Sequence, residues 1–98
     1  MNQEIYQAIR IYEQAAQAEQ QGVLRLAEVY YLKSGFASVE VGEAGCVQAV
    51  QSFEALTHLR QTAGDWVGAW AAAKRLAQVR LACPPIRVAP KAPAQPAS

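Results

Sequence analysis

Proline is confined to one end of this chain of 98 residues. All five prolines fall between Pro84 and Pro96, and residues 1–83 contain none. Because proline interrupts the hydrogen bonds of a helix interior, only the first 83 residues are free of helix breakers of this kind. Alanine supplies 20 residues and glutamine 11, and both favour helices over strands. We therefore predict one all-α domain over residues 1–83. The Pro/Ala-rich residues 84–98 are predicted to form a disordered tail, since they have too few large apolar groups to offset the ordering entropy.

Apolar residues at three- and four-residue spacing divide the domain into four predicted helices. The helices are expected over about residues 3–20, 23–33, 43–62 and 66–82. No period-two alternation competes with them, so a sheet is excluded. The short connections between the first and second helices, and between the third and fourth, predict two stacked antiparallel helical hairpins. A plain four-helix bundle is the alternative architecture.

The second predicted helix is apolar on nearly all sides, which indicates a central position in the fold. Ser34 and Gly35 are expected to end it, and Phe36 is expected to fold back onto the core from the following loop. Ser38 is a candidate cap for the third helix, whose firm part is predicted to begin at Glu43.

The first and fourth helices each carry an apolar stripe that is predicted to face the core. The stripe of the first helix consists of Ile5, Ile9, Tyr12 and Ala16. The stripe of the fourth helix consists of Trp66, Ala69, Trp70, Ala73, Leu76 and Ala77. We expect at least one of the two tryptophans to lie in the core.

The chain offers few of the side-chain groupings that active sites use. It has a single histidine, His58, and two cysteines, Cys46 and Cys83, without the spacing typical of zinc ligands or of a Cys–His pair. Phosphate-binding and dinucleotide-binding glycine loops are absent from the sequence. We predict a protein that is not an enzyme and that binds neither a cofactor nor a metal.

The predicted location is cytoplasmic. No segment reaches the roughly 18 apolar residues of a membrane span, and the N-terminus lacks the basic start and apolar run of a signal peptide. Reduced thiols at Cys46 and Cys83 fit such a compartment. A disulfide between them is left open by the sequence.

The charges are distributed unevenly along the chain. Residues 1–56 carry seven acidic and three basic side chains, whereas residues 57–98 carry one acidic and six basic ones. The near-neutral total of +1 therefore hides an acidic and a basic half. We interpret this asymmetry as an orientation signal for association rather than as a nucleic-acid surface, because the five cations from Lys74 to Lys91 have no glycine loops or aromatic residues interleaved with them.

Two glycine-centred connections indicate an internal repeat. Gly22 and Gly64 lie 42 residues apart, and a small residue follows each of them by five positions, at Ala27 and Ala69. Self-similarity of this kind is typical of helical repeat proteins.

The second unit resembles the tetratricopeptide repeat family. Phe53 and Leu56 match the aromatic-x-x-leucine pair of its first helix, and Gly64-Asp65-Trp66 looks like its Gly-Asp-aromatic turn. The 42-residue period is longer than the family's repeat of roughly 34 residues. Residues 18–31 are also similar to microtubule-interacting-and-transport domains, whose three helices fit the four predicted here less well.

The tetratricopeptide resemblance implies a groove that holds a partner's helix or extended peptide. We therefore predict a non-enzymatic protein–protein interaction module, such as a small adaptor or chaperone-like subunit. The residues predicted to contact the partner protein are Tyr12, Tyr30, Arg60, Trp70 and Lys74. The alternatives are a self-assembling helical protein that forms a homo-oligomer and, less favoured, a weak nucleic-acid binder using the basic C-terminal half.

Overall fold

The computed structural model of the protein describes residues 3–83, and the predicted tail lies outside them. The described chain consists of helices with no strand, which confirms the all-α prediction for this part of the protein. Its elements are α1 (Gln3–Gln20), α2 (Leu24–Val41), a 3-10 turn (Glu43–Gly45), α3 (Cys46–Thr62) and α4 (Trp66–Ala82).

The two glycine turns have the same backbone geometry. Gly22 and Gly64 adopt φ values of 81° and 80°, the left-handed conformation that glycine takes without steric cost. After the second turn, the Asp65 side chain accepts a hydrogen bond from the Gly68 amide and caps α4, as predicted. Adding 42 to the bounds of α1 and α2 reproduces those of α3 and α4 to within one residue. The repeat is therefore present in the structure as well as in the sequence.

The second helix is longer than predicted, because Ser34 and Gly35 do not end it. The Ser34 hydroxyl donates to the Ala8 carbonyl oxygen at 2.7 Å, so it is satisfied inside the helix. Gly35 makes room for the ring of Phe53, since a Cβ at this position would lie 2.6 Å from the nearest ring atom. The helix ends instead at Gly42, whose φ of 92° is again left-handed.

The longer helix also changes the expected roles of two nearby residues. Phe36 lies on α2 rather than in a loop, and its ring meets Phe53 edge-on with a centroid separation of 5.7 Å. Ser38 is buried within α2 and donates to the Ser34 carbonyl, so it does not cap α3. The third helix begins instead with the 3-10 turn at Glu43.

Consecutive helices pack against each other in chain order, and α2 is central, as predicted, because it contacts both α1 and α3. α4 packs chiefly against α3. Alanines at the helix contacts allow the backbones to approach closely. The large residues of the core are Tyr31, Phe53, Leu56, Leu59 and Val79.

The predicted core stripes of the two end helices are wrong in detail. In α1 the four stripe residues are only half-buried, and the buried residues are Ala8 together with Ala15 and Ala18, which widen the predicted stripe. In α4 the buried residues are Ala69, Ala72 and Val79, and both tryptophans lie at the surface. The expectation of a tryptophan in the core is therefore wrong, because α4 buries mainly the side that faces α3.

Cys46 and Cys83 form a disulfide, which overturns the expectation of reduced thiols. Their Cα atoms lie 5.9 Å apart, within the range that a disulfide spans without backbone movement. The bond joins the first residue of α3 to the residue that follows α4. It therefore fastens the last helix to its main neighbour.

Candidate docking face on helix α4

One side of α4 is apolar and exposed. We call it the α4 face and define it by residues spaced alternately four and three apart, which share one side of a helix. Its members are Trp66, Trp70, Ala73, Ala77 and Arg80, all of them exposed. Trp66 and Trp70 leave 67% and 65% of their surface in solvent, respectively. Since tryptophan is usually largely buried in a monomer, this pair marks an unfilled contact surface.

The repeat shows what lies over the equivalent side of α2. Subtracting 42 from the residue numbers of the α4 face gives Leu24, Glu28, Tyr31, Gly35 and Ser38. Three of these meet α3. Glu28 accepts a 2.6 Å hydrogen bond from Arg60, Gly35 lies against Phe53, and Leu24 shares a cleft with Leu59. The corresponding side of α4 has no described helix over it.

This comparison explains the misplaced core stripe. Four of the six residues predicted to face the core belong to the α4 face: Trp66, Trp70, Ala73 and Ala77. Their positions are equivalent to the side of α2 that meets α3 at Glu28 and Gly35. The pattern is therefore that of a helix with neighbours on two sides, although α4 packs mainly on one.

The charged side chains of α4 are all basic. The helix carries Lys74, Arg75 and Arg80 and contains no acidic residue. The Lys74 ammonium lies 4.8 Å from the centroid of the Trp70 ring, a cation–π distance. Arg75 stacks over Phe36 of α2, and Arg80 pairs with Glu54 of α3. Lys74 therefore borders the α4 face and Arg80 ends it, whereas Arg75, nine residues after Trp66, lies on the opposite side of the helix.

The five residues predicted to bind a partner fall into two groups. Trp70 and Lys74 lie together on α4, where both are exposed. Tyr12 is half-buried, with its ring edge-on to Tyr31, and Tyr30 is half-buried beside the core. These two tyrosines belong to α1 and α2, so they contact the first helix pair rather than the α4 face.

Arg60, the fifth of these residues, is held inside the molecule. Its side chain binds Glu28 of α2 and also donates to the carbonyl oxygen of Gly68 in α4 at 3.1 Å. It therefore connects three helices, and this internal role was missed at the level of sequence. The set of partner residues predicted from sequence also omits Trp66 and Arg75. The 42-residue period makes Trp66 the equivalent of Leu24 in α2.

The phenol of Tyr31 has a raised pKa in the folded protein. Burial raises the pKa of its phenol well above the ordinary value, and the Glu19 carboxylate that accepts its hydrogen bond at 2.8 Å adds to the effect. The group stays protonated and acts as a donor between α2 and α1. Its chemistry is structural and lies away from the α4 face.

Between Gln3 and Cys83 no three histidine, cysteine, aspartate or glutamate side chains come together to hold a metal ion. An apolar cavity of about 300 Å³ lies beside the disulfide, lined in part by Val39, Ala49 and Val79. It contains no pair of groups suited to proton transfer, and His58 is exposed on α3.

None of the described helices is both long and apolar enough to cross a membrane. No protein-family model matches the chain, and neither a curated protein nor a solved structure shows significant similarity to it. The tetratricopeptide resemblance therefore stays a prediction from the sequence.

Proposed function

We propose that the protein is a non-enzymatic protein–protein interaction module that receives a partner helix on the α4 face. The observation that carries this proposal is the exposure of Trp66 and Trp70 on the side of α4 whose equivalent in α2 meets α3 at Glu28 and Gly35. Tryptophan is enriched at the energetic centres of interfaces, since it buries a large apolar surface with few rotatable bonds. An adaptor or a chaperone-like subunit would use such a surface.

The architecture supports this reading. The two glycine turns and the packing of consecutive helices fit two antiparallel hairpins, α1–α2 and α3–α4, stacked in a tetratricopeptide-like manner. In stacked repeats each unit buries the apolar side of its neighbour, and an end unit without a polar outer side leaves that surface open. The α4 face is such an open end.

Of the five predicted contact residues, we assign direct partner contact to Trp70 and Lys74. Arg60 then acts indirectly, because its bond to the Gly68 carbonyl oxygen helps to hold the start of α4 in place. Tyr12 and Tyr30 keep the first helix pair together. A nucleic-acid role has less support, since Arg75 and Arg80 are engaged with Phe36 and Glu54, respectively.

A capture experiment tests the proposal. Full-length protein is immobilised, exposed to extract of its source cells, and the retained proteins are identified by mass spectrometry. We expect a retained protein that is lost with the variant Trp66→Ala/Trp70→Ala and kept with Val47→Ala, which removes an exposed apolar side chain from α3. Circular dichroism should show equal helicity in all three. Retention that is unaffected by the tryptophan changes would refute the proposal.

A further inference from the structure

We propose that the occupant of the α4 face is an acidic amphipathic helix of a different protein, lying on α4 as α3 lies on α2. This inference rests on the proposed function and specifies the partner's chemistry. Three features of the structure carry it: the internal template that α2 and α3 provide, the distribution of large and small residues along the face, and the sign of the charge around it.

The internal template indicates a helix rather than an extended peptide. α2 and α4 follow equivalent turns and have equivalent bounds, and the element that lies on α2 is the helix α3. The α4 face runs from Trp66 to Arg80, which corresponds to about 21 Å of helix at about 1.5 Å per residue. A partner helix of roughly four turns would lie along its whole length.

The α4 face has large side chains at one end and small ones at the other. Trp66 and Trp70 project from the first half of α4, whereas Ala73 and Ala77 leave a shallow surface in the second half. At the position equivalent to Ala77, Gly35 of α2 receives the ring of Phe53. The partner is therefore expected to place small residues against the tryptophans and a large apolar residue against Ala77.

The charge of α4 specifies an acidic partner. Lys74 lies beside Trp70, Arg80 ends the α4 face while sharing its charge with Glu54, and α4 contains no acidic residue, so carboxylates flanking the partner's apolar stripe would meet positive charge at Lys74 and Arg80. The internal interface already joins two helices by a pair of this kind, between Glu28 of α2 and Arg60 of α3. On α4 the charge has the opposite sign, because Trp70 occupies the position equivalent to Glu28 and the basic residues lie further along the helix.

A second copy of the chain fits the face less well. The helix equivalent to α3 is α1, and the residues that correspond to the buried Ala49, Leu56 and Leu59 are three exposed glutamines. These glutamines are Gln7, Gln14 and Gln17. The outer side of α1 is thus polar, and α4 from a second copy would bring like charges together.

The two tryptophans make the test specific, because they are the only ones in the chain and both belong to the α4 face. The probe is a synthetic amphipathic helix without aromatic residues, with alanine on the half of its apolar stripe that is expected to meet the tryptophans, leucine on the other half, and glutamate at the flanking positions. Its matched control carries lysine in place of every glutamate. With the glutamate peptide we expect the tryptophan emission to shift to shorter wavelength and acrylamide quenching to decrease.

Affinities are then measured by anisotropy of the labelled peptides. We expect the glutamate peptide to bind at least about tenfold more tightly than the lysine peptide in low salt, and this ratio to shrink in 1 M NaCl as the charges are screened. Trp70→Ala should weaken binding about tenfold or more, as expected for loss of an interface anchor. Val47→Ala should leave it unchanged.

Four results would overturn the inference. Equal or reversed affinities of the two peptides would refute the acidic chemistry, and failure of both to bind would refute the helical occupant. A blue-shifted emission that grows with protein concentration, together with a doubled mass in sedimentation, would identify a second copy instead. Emission that is already shifted in dilute protein would identify another part of the chain. If the peptides fail while cell-extract capture still depends on Trp66 and Trp70, the proposed function stands and only this inference falls.

Discussion

α2 and α4 are built alike but are used differently. Each follows a left-handed glycine, and each buries a small residue five positions later, Ala27 or Ala69. α2 packs between α1 and α3, whereas α4 packs chiefly on α3. The difference shows that an apolar stripe indicates which side of a helix could be buried, and that it does not specify whether a described helix of the chain covers that side.

The two ends of the helical array differ in the same way. The outer side of α1 presents glutamines, which suit contact with water, and the outer side of α4 presents tryptophans. In repeat proteins a polar outer side is what keeps a terminal unit soluble. Among the described residues, the outer side of α1 is therefore mainly polar, with Tyr6 exposed beside the glutamines, and the outer side of α4 is mainly apolar.

The largest expected effect on stability comes from replacing a buried aromatic residue, Phe53, by alanine. Replacing the exposed Trp70 by alanine is its counterpart. Phe53→Ala removes a fully buried ring that contacts α2, so we expect the free energy of unfolding to fall by about 3–5 kcal/mol. Trp70→Ala removes an exposed ring of α4 and should change it by less than about 0.5 kcal/mol. Urea unfolding followed by circular dichroism measures both. A loss above about 2 kcal/mol for Trp70→Ala would mean that the chain itself covers the α4 face.

Removing the disulfide should destabilise α4 more than α2. Cys46→Ser/Cys83→Ser opens a loop with a sequence separation of 37 residues, and we expect a loss of about 2–4 kcal/mol. The amide protons of α4 should then exchange faster, because this helix has one main neighbour, while those of α2 keep their relative protection. Reduction of the wild-type protein provides a control without mutation. Equal acceleration in α2 and α4 would contradict the distinction between them.

Two ion pairs between helices should give smaller effects. They allow the contact of α2 with α3 to be compared with the contact of α3 with α4. The Glu28–Arg60 pair between α2 and α3 is partly buried, whereas Glu54–Arg80 between α3 and α4 is about half-exposed. Double-mutant cycles with alanine should give a coupling of about 1–2 kcal/mol for the first pair and below about 0.5 kcal/mol for the second. In 1 M NaCl the second coupling should vanish. Equal couplings would indicate that both helix contacts exclude water to the same degree.

The local features of the fold were predictable from sequence, because neighbouring residues determine them. Gly22 and Gly64 end α1 and α3, and Asp65 caps α4, each through bonds that span only a few positions. The extent of α2 was not predictable in this way. Ser34 and Gly35 have low helix propensity, and contacts with residues far along the chain override it.

The candidate site shows the same division. Trp70 and Lys74, both in the predicted set, lie together in the structure, since four residues bring side chains onto the same side of a helix. Arg60 was assigned to a partner, although its acceptor Glu28 is 32 residues away and invisible to local spacing. The direction that the α4 stripe faces depends on how many helices pack around it, which periodicity alone does not specify.

The hydroxyl group of Tyr31 provides the smallest and most specific test of what α2 has and α4 lacks. The position equivalent to Tyr31 in α4 is the exposed Ala73, which has no hydrogen bond to offer. Because burial and Glu19 raise the pKa of Tyr31 in the folded protein, the unfolded chain loses this proton first as the pH rises. The contribution of the phenol is thus complete below about pH 10 and is lost progressively above it.

We therefore expect Tyr31→Phe to cost about 1 kcal/mol of unfolding free energy at pH 7, through loss of the hydrogen bond to Glu19. Between about pH 10 and pH 12 the wild-type advantage should shrink towards zero, because only the wild type has this phenol to ionise on unfolding. Tyr6→Phe is the matched control, since Tyr6 is 62% exposed, and it should cost less than about 0.5 kcal/mol at pH 7. A Tyr31 advantage that is independent of pH would show that the phenol ionises as easily in the folded protein as in the unfolded chain. The contact between α1 and α2 would then be as open to water as the α4 face.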